Sequence, residues 1–123
     1  MSFNKVAVLG LGKVGHLAAE LLAEAGFTVT GIDARAVSGC PFPVRTADLT
    51  GDLDAVLKGQ EAVLSCLPYH LNKGVSSAAH RLGLHYFDLT EDVPTTRHIR
   101  DLAETSKGIM APQCGLAPGF VGI

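Results

Sequence analysis

Tryptophan is absent from this chain of 123 residues, and aromatic residues make up only 6% of it. The three cysteines are an odd number without Cys-x-x-Cys spacing, which argues against a disulfide framework and indicates a reducing, cytoplasmic compartment. Lys and Arg number 10 against 12 Asp and Glu, so no basic surplus predicts binding to nucleic acid or to a membrane surface. The first apolar stretch, residues 6–11, is too short for a signal peptide or a membrane span.

The composition that remains, 47% apolar and 18% charged, is that of an ordinary globular domain. Short apolar runs alternate with segments of helical periodicity, which is typical of β-α-β units and a parallel sheet. We expect strands at residues 5–9, 27–32, 44–47, 62–67, 84–89 and 109–111, and helices at 14–25, 52–58, 71–82 and 94–103. The prediction is a doubly wound α/β domain: a mostly parallel six-stranded sheet in the order 3-2-1-4-5-6, covered by helices in a three-layer αβα arrangement.

The first predicted helix has apolar residues at intervals of three and four, which predicts a single buried stripe. The members of this stripe are Val14, Leu17, Ala18, Leu21, Leu22 and Ala25. Gly26 follows the stripe and suits the left-handed conformation that ends many helices.

A glycine motif lies between the first strand and the first helix. Residues 10–15 read Gly-x-Gly-x-x-Gly, and this position indicates the dinucleotide-binding turn of a Rossmann fold. Gly10 would permit the turn, Gly12 would let the backbone approach a pyrophosphate, and Gly15 would let the helix pack closely. Lys13 and Val14 open the helix whose free N–H groups would hold that pyrophosphate. The alternative is a glycine turn that binds nothing.

Asp33 ends the second strand, 18 residues after the last glycine of the motif. An acid at this offset is expected to bind the ribose hydroxyls, and it favours NAD over NADP because a 2′-phosphate would meet a carboxylate. Ala34 and Arg35 complete this side of the predicted site. Arg35 could stack on the adenine, pair with a 2′-phosphate or be a solvated loop cation.

Two further segments are predicted to complete the site. Asp48 and Leu49 follow the third strand, where Asp48 would lie beside the adenine or cap the next short helix. Cys66, Leu67 and Pro68 end the fourth predicted strand, whose carboxyl end faces the cofactor at the point where the strand order reverses. We expect backbone atoms there, rather than the Cys66 thiol, to contact the dinucleotide.

The remaining reactive residue types carry less information. Five histidines, at positions 16, 70, 80, 85 and 98, have no metal-ligand spacing, so no metal site is expected. His70 is near the predicted nicotinamide edge and could contact the cofactor there. An ordinary structural role in the first turn of a helix is at least as well supported. Cys114 has no neighbouring base or cation that would lower its pKa. No catalytic residue is therefore assigned.

The sequence resembles the N-terminal NAD(P)-binding domain of the saccharopine dehydrogenase family over nearly its whole length. The more specific segments are Ser-Cys-Leu-Pro-Tyr-His at 65–70, Leu-His-Tyr-Phe-Asp-Leu-Thr at 84–90 and Cys-Gly-Leu-Ala-Pro-Gly at 114–119. The last of these resembles the family's Gly-x-x-Pro-Gly loop, which leads into the substrate domain. The resemblance implies an oxidoreductase that breaks or forms a carbon–nitrogen bond of an amino acid.

The family's substrate domain has no counterpart in this chain. We therefore expect residues 1–123 to be one NAD(P)-binding domain cut from a longer protein, with NAD or NADP as its ligand and little activity alone. An amino-acid substrate is expected only for the full-length protein, and a homodimer is left open.

A rival interpretation is a regulatory NAD-binding module of the kind attached to potassium channels. Such modules share the glycine motif and the acid at position 33. The segments at 67–69 and 117–119 do not fit them. A third interpretation is a structural domain that binds no nucleotide.

Overall fold

The computed structural model describes residues 3–88, 98–99, 101–105 and 110–111. The first half of the chain contains β1 (Lys5–Leu9), α1 (Lys13–Glu24), β2 (Thr28–Asp33), β3 (Val44–Thr46) and α2 (Leu53–Leu57). The second half contains β4 (Ala62–Ser65), α3 (Tyr69–Leu82), β5 (His85–Asp88) and β6 (Met110–Ala111). Residues 98–99 and 101–103 are helical, within the predicted last helix; Pro94, expected in its first turn, lies outside the described residues.

The strands form one parallel sheet in the order β3-β2-β1-β4-β5-β6. The strand β1 is central, because Val6 pairs with Val29 of β2 on one side and with Ala62 of β4 on the other. The predicted doubly wound α/β class is confirmed. In such a sheet the order reverses between β1 and β4, so the crevice at the carboxyl ends of these two strands is where a ligand is expected.

The two faces of β1 build two separate cores, as the twofold alternation of a strand requires. Ala7 and Leu9 belong to the core beneath α2 and α3, while Val6 and Val8 belong to the core beneath α1. All four side chains are buried, and burial of a side chain as large as Val or Leu stabilises the fold by roughly 1.5–3 kcal/mol. The central strand is therefore fixed from both sides, which fixes the turn that follows it.

The predicted buried stripe of α1 is wrong in part. Val14, Leu17 and Leu21 are 59%, 57% and 46% exposed, and Ala25 is also exposed. The buried residues of the helix are Gly15 and Ala19, with Ala18, Leu22 and Ala23 partly buried against the core. The reason is the close approach at Gly15, which turns the small-residue side of the helix toward the sheet and the large side chains away from it.

The ends of the helices follow the predicted glycine signals. Gly26, which follows the C-cap residue Ala25 of α1, has φ +100°. Gly83 ends α3 with φ +73°, and such positive φ angles strongly favour glycine. Within the described residues, no helix is both long enough and apolar enough to cross a membrane.

Candidate functional site

The turn after β1 is shaped by Gly10, which has φ +87°. Its N–H donates to the carbonyl oxygen of Ile32 at 2.9 Å, which ties the turn to the end of β2. A Cβ atom at Gly10 would lie 3.0 Å from both the Cys66 carbonyl oxygen and Leu67 Cδ2. The turn therefore packs against the segment after β4, and the structure brings these two predicted parts of the site together.

Gly15 is the point of closest approach between helix α1 and this turn. A Cβ atom built there would lie 1.7 Å from the carbonyl oxygen of Gly10 and 3.3 Å from Cys66 Cβ. The first distance is far inside van der Waals contact, so only glycine fits.

Gly12 is different, because nothing lies within 4 Å of the position that its Cβ would take. Gly12 is the N-cap of α1, and the helix begins with no side-chain cap and no acidic residue in its first turn. The first N–H groups of a helix have no partner within the helix and attract anions. The open space beside Gly12 and this uncapped helix end together fit the pyrophosphate of a dinucleotide.

An open groove of about 480 Å³ adjoins this position. It is lined by Leu11, Gly12, Lys13, His16, Leu17 and Glu20. The residues that line the groove belong to α1 and the turn before it and include none from β4 or β5, so the groove adjoins the start of α1 without outlining a whole dinucleotide.

Asp33 is held at the tip of β2 by two backbone N–H groups. Its Oδ2 accepts from Leu11 at 2.7 Å and its Oδ1 from Arg35 at 3.0 Å. Burial opposes ionisation, but these hydrogen bonds outweigh it and hold the pKa of Asp33 below its usual value. A half-buried, ionised carboxylate thus lies beside the glycine turn, while Ala34 and Arg35 are exposed next to it.

Asp48 makes a small turn of its own. Its Oδ1 accepts from the Thr50 N–H at 2.9 Å and from the Thr50 hydroxyl at 2.6 Å. The cap of α2 is Asp52, whose carboxylate accepts from the Ala55 N–H. The alternative role of Asp48 as that cap is therefore wrong, because Asp52 occupies the cap position and Asp48 bonds to Thr50 instead. The side chain of Leu49 is buried in the core. Only the backbone atoms of this residue could therefore contact a ligand.

The segment after β4 brings Cys66 next to the glycine turn. Burial, together with the negative charge of Asp88, raises the pKa of the Cys66 thiol to about 12. A thiol with this pKa is protonated at neutral pH and is therefore a poor nucleophile.

Sequence reasoning missed the polar pair that shapes this segment. The buried Ser65 hydroxyl donates to Oδ1 of Asn72 at 2.5 Å, and the Leu67 N–H lies 3.5 Å from the same hydroxyl oxygen. A serine at the last position of a buried strand, followed by a helix with an amide in its first turn, is the signal that could have revealed the pair.

Asp88 is a second missed residue at the same edge of the sheet. It is fully buried at the end of β5, directly beside Ser65 in the strand register. The hydroxyl of Tyr86, two residues earlier on the same face, donates to it. The alternation of side chains along β5 would have placed both residues on one face.

Three of the histidines have polar partners in the described part of the structure. His98 contacts the Ser77 hydroxyl at 3.0 Å, His80 contacts the Thr105 hydroxyl at 2.8 Å, and His16 lies 3.2 Å from Glu20. Across the described part of the chain, no group of three His, Cys, Asp or Glu side chains could hold a metal ion. Cys114 lies outside the described residues.

Comparison with protein families gives one match over most of the chain. The sequence model described as saccharopine dehydrogenase NADP binding domain matches residues 6–111. The comparison with curated protein sequences gives no match.

Solved structures show the same fold. Apo saccharopine dehydrogenase (L-Glu forming) from Saccharomyces cerevisiae is 25% identical with a TM-score of 0.77, and the match covers 96% of this chain and 28% of that enzyme. MoeE5 in complex with UDP-glucose and NAD is 15% identical with a TM-score of 0.70, covering 85% of this chain and 52% of that protein. A UDP-N-acetylglucosamine 4-epimerase from Bacillus cereus is 18% identical with a TM-score of 0.60, covering 71% and 35%. The chain thus spans about half the length of MoeE5 and less than a third of the yeast enzyme.

Proposed function

Because the chain belongs to the family of saccharopine dehydrogenase NADP-binding domains, we propose that it is the NAD(P)-binding part of an enzyme that transfers hydride to or from an amino-acid carbon–nitrogen bond. The observation that carries this proposal is the contrast among the three glycines. Gly10 and Gly15 have protein atoms against them, whereas Gly12 faces open space at an uncapped helix end. The family match and the likeness to saccharopine dehydrogenase support the enzyme over the potassium-channel module.

The residues proposed to hold the dinucleotide line the carboxyl edge of the sheet from β3 to β4. They are Gly10, Gly12, Lys13, Val14, Gly15, Asp33, Ala34, Arg35, Asp48, Leu49, Cys66, Leu67 and Pro68. In this arrangement the start of α1 would hold the pyrophosphate, Asp33 would accept from the adenosine ribose, and the backbone at 66–68 would border the nicotinamide side. A bound nicotinamide supplies the hydride acceptor or donor, and the chain supplies binding and orientation.

The fixed charge of Asp33 supports a preference for NAD over NADP. Its two backbone hydrogen bonds keep the carboxylate ionised, so a 2′-phosphate placed beside it would be repelled. Arg35 donates its backbone N–H to this carboxylate, and its exposed guanidinium would be the group left to meet a 2′-phosphate.

Replacing Asp33 with alanine is expected to weaken NAD binding by about 1–3 kcal/mol, the scale of a lost hydrogen bond to a charged group. The affinity for NADP should fall less, because the repulsion disappears with the charge, and the NAD:NADP affinity ratio should therefore fall. Isothermal titration with both dinucleotides measures this ratio, which a general loss of folded protein would not change. Asp54→Ala is the matched control, since that carboxylate pairs with Arg81 at 2.7 Å instead. An unchanged NAD affinity in Asp33→Ala would show that the ribose is held elsewhere.

The 123-residue chain is expected to bind the dinucleotide without sustained turnover. The proposed reaction needs a surface that positions an amino acid, and the chain matches only 28% of the length of the yeast enzyme. Absorbance at 340 nm, followed with NAD and each of the common amino acids, should show no steady increase while calorimetry detects binding. Steady reduction of NAD by the purified chain would contradict this expectation, and absence of binding would contradict the proposed function itself.

A further inference from the structure

The outward side of helix α1 is apolar, which is the reverse of an ordinary surface helix. Val14, Leu17 and Leu21 are all about half exposed or more. At 100° per residue they fall within an arc of about 60°, on the side of the helix away from Gly15 and Ala19. Surface clusters of large apolar residues commonly mark interaction sites.

The charges at the ends of α1 are also reversed. Helix dipoles favour acids in the first turn and bases in the last turn, but α1 has neither. It begins at Lys13 and ends at Glu24, both exposed. Among the described residues neither has an ion-pair partner, whereas Glu20 pairs with His16.

Lys13 and Glu24 lie along the same edge of the apolar arc. They are 11 positions apart, which brings them within about 20° of each other around the helix. Two helices that pack antiparallel bring the same edge of each together, with the start of one beside the end of the other. A helix with a base at its start and an acid at its end on one edge is therefore complementary to a second copy of itself.

We propose that α1 pairs antiparallel with α1 of a second copy of this chain about a twofold axis. Leu17 of one copy would face Leu21 of the other, and Lys13 of each copy would face Glu24 of the other. This isologous arrangement forms both ion pairs at once and places each charge near the helix end of the partner that it complements. A parallel pair would instead place the Lys13–Glu24 edges of the two helices on opposite sides of the contact, so it would form neither ion pair.

The surface is the outer side of one helix of 12 residues, about 18 Å long. It is smaller than the contact areas of stable dimers, so the association is weak, concentration-dependent and sensitive to salt. The proposed association of two copies does not depend on whether the chain binds a dinucleotide.

Sedimentation velocity of the dinucleotide-free chain at low salt tests the proposal by exchanging the two charges. The parent chain should show a monomer–dimer equilibrium between about 10 μM and 1 mM, the range of a weak interface. Lys13→Glu and Glu24→Lys should each associate at least about tenfold more weakly, because each variant's dimer has two repulsive pairs. An equimolar mixture of the two variants should regain the association of the parent chain, since both pairs are attractive in the mixed dimer.

Leu17→Glu should abolish association because it places two charges at the centre of the contact. Leu82→Glu, at an exposed leucine of α3, is the matched control and should associate like the parent chain. Circular dichroism of each variant establishes that it is folded. A parent chain that remains monomeric at every concentration, or a mixture that associates no better than its components, would overturn the proposal and leave the apolar arc to a different polypeptide.

Discussion

Replacing Gly15 with alanine is expected to destabilise the domain by more than about 3 kcal/mol, above the usual cost of overpacking a core. The added Cβ would lie 1.7 Å from the Gly10 carbonyl oxygen and 2.9 Å from its carbon. These are backbone atoms of a turn that is itself held by Ile32 and pressed against Cys66, so the strain cannot be relieved by rotation of a side chain. Urea denaturation followed by circular dichroism measures the loss, and the denaturation midpoint should fall with little change in slope.

The matched control is Gly74→Ala, in the interior of α3. A Cβ at Gly74 would have Leu53 Cδ1 as its nearest neighbour, at 3.6 Å, an ordinary contact. This substitution should stabilise the domain by up to about 1 kcal/mol, because alanine favours a helix over glycine. If both variants changed stability equally, the clash at Gly15 would not be the cause.

Gly12→Ala is expected to leave stability nearly unchanged and to weaken dinucleotide binding by about 10- to 100-fold. Gly12 has φ −68° and ψ −168°, which any residue adopts, and nothing lies within 4 Å of its Cβ position. The methyl group would instead occupy the space proposed for the pyrophosphate, at the roughly 1–3 kcal/mol cost of overpacking. Titration calorimetry with NAD, beside urea denaturation of the same sample, separates the two effects.

Gly39→Ala provides a comparison for the binding measurement. Gly39 also has no neighbour within 4 Å of its Cβ position, but it has φ +76° in a loop outside the proposed site. It should lose some stability and keep its affinity for NAD, the opposite of the result expected for Gly12. Full dinucleotide affinity in Gly12→Ala would place the pyrophosphate away from this helix end.

The topology could be predicted because each strand carries its own signal. The apolar runs of β1 and β4 indicate strands covered on both faces. Parallel strands are joined almost always by right-handed crossovers, whatever the particular side chains are, so the order of the elements leaves few possible strand orders. The turn after β1 could be predicted from the glycine motif because its requirements are also local. They are a positive φ at Gly10 and a close approach of backbone atoms at Gly15.

The buried face of α1 could not be predicted from periodicity alone. Val14, Leu17 and Leu21 follow the helical period as well as Ala18 and Leu22 do, so the pattern does not show which side faces the sheet. Gly15 decides this, because its contact with Gly10 permits only a glycine where the helix meets the turn after β1. Interpreting that glycine as a packing constraint would have turned the helix correctly.

The polar contacts at the carboxyl edge depend on tertiary structure. Ser65 meets Asn72 because a strand ends where a helix begins, and Asp88 lies beside Ser65 only through the pairing of β4 with β5. Asp48 and Asp52 have similar sequence surroundings, and the start of α2 decides which of them becomes the cap.

The central position of β1 has a consequence for the order of events as the chain is synthesised. Val6 pairs with Val29 on one side, but its partner on the other side, Ala62, comes 56 residues later in the chain. At about 5–20 residues per second the ribosome needs roughly 3–11 seconds to make that interval. For this time the edge of β1 that will pair with β4 is uncovered. Its backbone N–H and C=O groups are then available to chaperones and to incorrect partner strands.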